Sequence, residues 1–213
     1  MESLSKSLGA LGEIIIFIIL SLTYTSLILL PIILINLLID KSLISYIFLF
    51  VPLIGLLGLA IERAFIGTRN VFVNQKSFYR PYFKELFSTR PIKKYATYCL
   101  LLSLYFYSCD SLRILENGIL GLFILRIFLS LAFRNIIFYT ILQRAFRKEL
   151  GFVETIKNSA ILTLKYPLYA IIICLVWGLI EELMIKNALW TYVLVIILGF
   201  MGNFINQSKV KNL

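Results

Sequence analysis

The sequence contains no histidine and few acidic residues, with 11 Asp and Glu against 21 Lys and Arg. Histidine is the commonest general base and the commonest metal ligand, so its absence removes the usual centre of a catalytic or metal site. No Asp or Glu lies deep in a long apolar run, which argues against the carboxylate relay of a proton-coupled carrier. The phosphate-binding glycine loop of ATP-driven motors is also missing. We therefore expect a protein that is not an enzyme and that uses no cofactor or metal.

Cysteine is scarce as well. The three cysteines fall in or at the end of apolar runs, without close pairing in the sequence: Cys99, Cys109 and Cys174. We expect neither a disulfide nor a reactive thiolate, and we interpret all three as small apolar packing residues.

Apolar residues, in contrast, dominate the chain. They make up 60% of the 213 residues, and the mean hydropathy is +0.92, whereas soluble domains are about 45–50% apolar. Apolar runs recur along the whole length, and no polar block is large enough to form a separate core. The composition therefore predicts one integral membrane domain, residues 1–213. Its first run is too long for the core of a signal peptide, so we expect a retained span.

The apolar runs predict an all-α fold, a polytopic membrane bundle of about six transmembrane helices with two cytoplasmic amphipathic helices. Each crossing of the hydrocarbon core needs about 20 apolar residues. In the second span, Gly55 and Gly58 are small enough to let a neighbouring helix approach closely. Between the third and fourth spans, Asn117-Gly118 is typical of a turn. The predicted spans are residues 14–39, 44–61, 95–115, 119–143, 167–180 and 188–205.

A basic and aromatic segment, residues 62–95, is the longest interruption between these spans. It holds eight Lys and Arg against two acids. Its aromatic residues recur at helical spacing with charged residues largely opposite, which predicts a helix lying at the membrane interface. The residues of this segment that we expect to face lipid or a partner are Phe78, Arg80, Tyr82, Phe83, Lys84, Arg90, Lys93 and Lys94.

A second cytoplasmic segment, residues 152–166, is also amphipathic. Val153 and Leu164 belong to its apolar stripe, and Glu154 and Lys157 belong to the same predicted partner or lipid surface. Two interpretations of these segments remain open. Aromatic and basic residues are ordinary at a bilayer surface, and two neighbouring cytoplasmic helices also suit the docking of another membrane protein.

The distribution of basic residues predicts the orientation of the chain. Sixteen Lys and Arg lie in the segments that we assign to the inside, against three in the opposite turns. Because cytoplasmic segments carry an excess of Lys and Arg, we expect a multi-pass protein of the bacterial cytoplasmic membrane with both termini in the cytoplasm. We attribute the net charge of +10 to this orientation and to anionic lipid headgroups, not to nucleic-acid binding.

The candidate binding residues are Arg126, Ser130 and Arg134, which recur every four residues in the fourth span. Arg126 is near mid-membrane, where a charge costs several kcal/mol unless it is paired or hydrated, and we expect no intramembrane acid to pair with it. It forms either a site for an anion or polar solute, or a structural link to carbonyls and hydroxyls. Arg134 lies nearer the cytoplasmic boundary and is typical of an anchor. Candidate hydroxyl partners for Arg126 are Thr23, Thr25, Ser103 and Ser108.

Three stretches of the chain resemble the YesL-like family, a Firmicute group of polytopic membrane proteins of unknown function. They are Leu30-Pro31 at the end of the first span, FYRPYFKELFSTRPIKKYATYCLLL, and FRNIIFYTILQRAFRKELGFVETIKNSAILTLKYPLYAIII. The resemblance implies an accessory role in carbohydrate uptake beside an ABC importer. The coupling motif of importer permeases is absent, because Glu154 is followed by Thr155 and Ile156 instead of two alanines.

Two functions are therefore expected for the chain. The first is a non-enzymatic accessory subunit that binds another membrane protein, such as a carbohydrate ABC importer, through its basic cytoplasmic loops. The alternative is a small solute transporter or substrate-binding membrane component in which Arg126 reaches the solute.

Overall fold

The computed structural model describes residues 47–72, 91–116, 118–147, 150–186 and 190–208, with isolated positions ahead of residue 47. In these ranges the chain forms α-helices and no strand, which confirms the predicted all-α class. The helices are α1 (Ile47–Phe72), α2 (Pro91–Leu115), α3 (Leu120–Phe146), α4 (Phe152–Lys165), α5 (Pro167–Lys186) and α6 (Trp190–Ser208).

Helix α3 confirms a helix at the position of the expected fourth span, and helix α4 confirms the amphipathic segment that follows it. The turn between α2 and α3 contains Gly118, whose φ of 85° is a conformation that glycine adopts without a steric penalty. The predicted turn is therefore confirmed. The first predicted span and the predicted interfacial helix within residues 73–90 lie outside the described residues.

Two helices extend beyond the predicted boundaries. Helix α1 continues to Phe72, so residues 62–72 are not the start of a loop, and Glu62 and Arg63 are buried. Helix α5 continues to Lys186, so Glu181 is not part of an external turn. In both places the predicted boundary was set at a charged residue, and at Glu62 and Glu181 a cation from elsewhere in the bundle neutralises the charge.

The core lies where α1, α2, α3 and α6 meet. Phe65 of α1 and Phe138 of α3 pack edge to face, with ring centroids 5.4 Å apart. The predicted close approach at Gly58 is confirmed, because a Cβ atom there would lie 2.6 Å from Cβ of Tyr98 on α2. Asn203 of α6 donates from Nδ2 to the carbonyl oxygen of Phe65 at 3.1 Å, so a buried amide also links these helices.

Helix α4 directs hydroxyl groups toward α3, and it has both buried and exposed apolar side chains. The buried Oγ of Ser159 accepts hydrogen bonds from Nε2 of Gln143 at 2.9 Å and from Oγ1 of Thr140 at 3.1 Å. Val153 and Leu164 of the predicted apolar stripe are 75% and 82% exposed. These two side chains therefore face outward, whereas Ile156, which lies between them in the sequence, packs against the core.

Helix α3 is long and apolar enough to span a membrane by itself, and in the described ranges it alone meets this criterion. Helices α4 and α5, taken together from Phe152 to Leu183, also meet it but are bent by 104°. Large apolar side chains form an exposed stripe along α5: Leu168, Ile171, Ile172, Leu175 and Leu179.

Candidate functional site

A cavity of about 370 Å³ lies between α2, α3 and α5. All three residues that the sequence singles out, Arg126, Ser130 and Arg134, line it. They share its wall because residues four apart lie on one face of an α-helix. Asp110 and Arg113 of α2 line the opposite wall. The periodicity of the sequence did not identify these two residues as part of a site.

One end of the cavity is formed by an ion pair between Arg134 and Glu181. Nη2 of Arg134 contacts Oε2 of Glu181, and Nε of Arg134 donates to the hydroxyl oxygen of Tyr105 at 2.8 Å. Tyr105 in turn donates to Oε1 of Glu181 at 3.0 Å, and Nε1 of Trp177 donates to the same oxygen at 2.8 Å. Both charges are thus compensated, as burial of an ion pair requires.

This arrangement corrects the prediction that Arg134 is a boundary anchor. The prediction failed because the predicted fifth span ended at residue 180, directly ahead of Glu181, whereas α5 continues to Lys186. Glu181 follows Trp177 by four residues, which brings their side chains together on one helix face, and this spacing was the available signal. Gly178 leaves room for the guanidinium, because a Cβ atom there would lie 2.9 Å from Nη1 of Arg134.

Arg126 has an acidic partner as well, but this acid lies just outside the predicted span 95–115 and is therefore not the intramembrane acid whose absence the sequence predicted. Its Nε lies 2.8 Å from Oε2 of Glu116, the residue that follows α2, and both side chains are partly exposed. Its guanidinium also lies 5.5 Å from the ring centroid of Phe123. Of the expected hydroxyl partners, Ser103 donates to the carbonyl oxygen of Cys99 instead. Thr23 and Thr25 lie outside the described residues.

Asp110 and Arg113 remain without an ion-pair or hydrogen-bond partner among the residues that the structure describes. Residues three apart on a helix can form an ion pair, but the structure contains no such pair between Asp110 and Arg113. They add an uncompensated carboxylate and an uncompensated guanidinium to the cavity wall.

A second ion-paired carboxylate, which is fully buried, lies among α1, α2 and α3. Glu62 forms an ion pair with Nζ of Lys94 and accepts a hydrogen bond from the hydroxyl of Tyr98 at 2.7 Å. Arg144 closes the cluster by donating from Nη1 to Oγ1 of Thr97 at 2.9 Å. Lys94 therefore contributes to the bundle interior, which corrects its assignment to a partner surface.

Glu154 and Lys157, the other predicted surface residues within the described ranges, are exposed on α4. Glu154 also accepts a hydrogen bond at 3.3 Å from the backbone nitrogen of Gly151, which caps the start of α4. Neither residue lines the cavity. The two predicted sites are thus separate.

Comparisons with protein-family models, curated proteins and solved structures give no match for this chain. The resemblance to the YesL-like family stays a prediction. The cavity has a size typical of small-molecule sites, and its arginine, hydroxyl and carboxylate groups can bind a polar or charged solute. Within the described ranges, no three Cys, Asp or Glu side chains come together in a geometry that would hold a metal ion.

Proposed function

We propose that this protein is a non-enzymatic, multi-pass membrane protein that binds a small polar solute in the cavity between α2, α3 and α5. The observation that carries the proposal is the placement of Arg126, Ser130 and Arg134 along one wall of that cavity. Scattered surface arginines would not enclose a common space. Charged groups inside a membrane bundle commonly mark a substrate or ion pathway.

The exposed apolar stripe of α5 supports the multi-pass arrangement. Contiguous exposed apolar surface of this kind marks a membrane or protein contact. If α5 crosses the bilayer, the 104° bend lays α4 close to the membrane plane. Lys157 and Glu154 would then reach the headgroups while Val153 and Leu164 contact the acyl chains.

The excess of basic residues on one side of the predicted membrane indicates which side the cavity faces in this proposal. Residues 144–166 carry five Lys and Arg and belong to the cytoplasmic side. Arg126 lies in the second turn of α3, nearer the opposite end than the mid-membrane depth expected from the sequence, so the solute would enter from outside the cell. The protein would lie in the bacterial cytoplasmic membrane with both termini in the cytoplasm.

Cys109 lines the cavity and offers a direct test. In a chain carrying Cys99→Ala and Cys174→Ser, a membrane-impermeant thiol reagent added to intact cells should modify Cys109. The matched control adds Cys109→Ala and Leu168→Cys, which places the thiol on the apolar stripe of α5 and should leave it unmodified. Modification of the control thiol with an unreactive Cys109 would reject the proposal.

A second candidate function is the accessory subunit of a carbohydrate ABC importer, and the outward apolar stripe of α4 favours it. Val153 and Leu164 present apolar surface beside Lys157, a composition suited to a partner helix. An importer that co-purifies in mild detergent with the intact chain should be lost with Val153→Asp and retained with Glu154→Gln. Equal recovery with both variants would reject docking at α4.

A further inference from the structure

The uncompensated charges of the cavity are one carboxylate and one guanidinium. Arg134 is paired with Glu181, and Arg126 with Glu116. Asp110 and Arg113 line the same cavity, and the described part of the chain provides neither with a partner. A ligand that fills the space therefore meets two free charges of opposite sign.

Asp110 and Arg113 lie toward the end of the cavity that is far from the Arg134–Glu181 ion pair. Tyr105 and Arg113 of α2 are eight residues apart, which corresponds to about 12 Å along a helix. Arg134 and Arg126 of α3 have the same spacing. Each wall of the cavity therefore runs from the Arg134–Glu181 ion pair at one end to an arginine, Arg113 or Arg126, at the other. With a volume of about 370 Å³, the cavity is near the lower limit of ligand sites, which favours a small solute.

The spacing of the free charges limits the chemistry of the ligand. Asp110 and Arg113 are three residues apart on α2, which places their Cβ atoms about 5–6 Å from each other. A simple anion at Arg113 would be repelled by Asp110, and a simple cation at Asp110 would be repelled by Arg113. A molecule with both charges satisfies both side chains.

We propose that the cavity binds a zwitterion, with its ammonium group at Asp110 and its carboxylate or phosphate at Arg113. The inference rests on the proposed solute-binding function and names the class of solute. Phe106 and Ile127 provide the apolar wall for the carbon chain between the charges. A free amino acid and the headgroup of phosphatidylethanolamine share this chemistry.

The test uses the full chain in nanodiscs of phosphatidylglycerol and 4-aminobutyrate as the probe, with binding measured by calorimetry. Butyrate and butylamine are matched probes that each lack one charge. We expect 4-aminobutyrate to bind at least about tenfold more tightly than either, because each analogue leaves a charged group of the site unpaired. Glycerophosphoethanolamine should compete with it.

Variants locate the two charges. Asp110→Asn and Arg113→Gln should each reduce the preference for 4-aminobutyrate to about twofold or less, since each removes one of the two matched contacts. Glu154→Gln and Lys157→Gln, at the exposed charges of α4, should leave it unchanged. The comparison of the three probes on the unmodified chain does not depend on the folding of any variant.

The possible outcomes separate the ligand class from the proposed function. Butyrate binding as tightly as 4-aminobutyrate, with no effect of Asp110→Asn, would overturn the zwitterion and leave solute binding intact. If none of the probes binds, the zwitterion proposal is overturned as well. If Cys109 is also unreactive toward the thiol reagent, the proposed solute-binding function is rejected too. Loss of 4-aminobutyrate binding in phosphatidylethanolamine nanodiscs would support the zwitterion and identify the lipid headgroup as its source.

Discussion

The carboxylates of Glu62 and Glu181 have similar partners but different surroundings. Each pairs with a cation and accepts a hydrogen bond from a tyrosine of α2, and the two tyrosines, Tyr98 and Tyr105, are seven residues apart. The side chain of Glu62 is 1% exposed and that of Glu181 is 23% exposed. Glu181 lines the cavity and Glu62 does not.

An ion pair alone therefore does not indicate a binding site. The Glu62 cluster joins α1, α2 and α3 in the interior, where compensated charges mainly specify how helices pack. The Glu181 cluster closes one end of a cavity, so the same chemistry also shapes a binding wall. Substitutions in the Glu62 cluster should change the stability of the protein. Substitutions in the Glu181 cluster should also change the properties of the cavity.

The largest effect is expected for Glu62→Gln. It leaves the cation of Lys94 without its counter-charge, and we expect a loss of about 3 kcal/mol, the low end for a broken buried pair because Lys94 reaches solvent. Thermal unfolding in detergent measures this loss. Adding Lys94→Met should recover part of it, and a stable single variant would contradict the structural role.

A smaller loss of stability is expected for Glu181→Gln. The amide still accepts hydrogen bonds from Trp177 and Tyr105, so we expect about 1–3 kcal/mol from the lost ion pair. In contrast to Glu62→Gln, this variant should change the rate of Cys109 modification in the folded protein, because the freed guanidinium of Arg134 lines the same cavity. Equal rates of Cys109 modification in Glu62→Gln and Glu181→Gln would contradict the distinction between the two clusters.

The smallest effect is expected for Gly178→Ala, which moves the guanidinium of Arg134 without removing a charge. The added Cβ meets the flexible end of a side chain, so we expect a loss of about 1 kcal/mol, at the low end for overpacking. Gly121→Ala is the matched control, since a Cβ there has no atom within 4 Å. It should change stability by less than about 0.5 kcal/mol. Equal losses for Gly178→Ala and Gly121→Ala would mean that Arg134 does not depend on the space at Gly178.

Local patterns predicted much of the fold. The apolar run of α3, the amphipathic pattern of α4 and the Asn-Gly turn each depend on neighbouring residues, so they could be recognised in the sequence. The spacing of Arg126, Ser130 and Arg134 also predicted that they share a face. The partners of these arginines could not be predicted, because Glu116 and Glu181 reach them through the packing of different helices.

The helical class, the apolar outer surface and the candidate face of α3 follow from the sequence alone, since composition and helical periodicity are local properties of the chain. Which charges are compensated depends instead on how the helices pack. This packing buried Glu62 against Lys94 and placed Glu181 against Arg134, while Asp110 and Arg113 remained free beside the cavity. A buried charge in a bundle needs a counter-charge, and which residue provides it depends on contacts between residues far apart in the sequence.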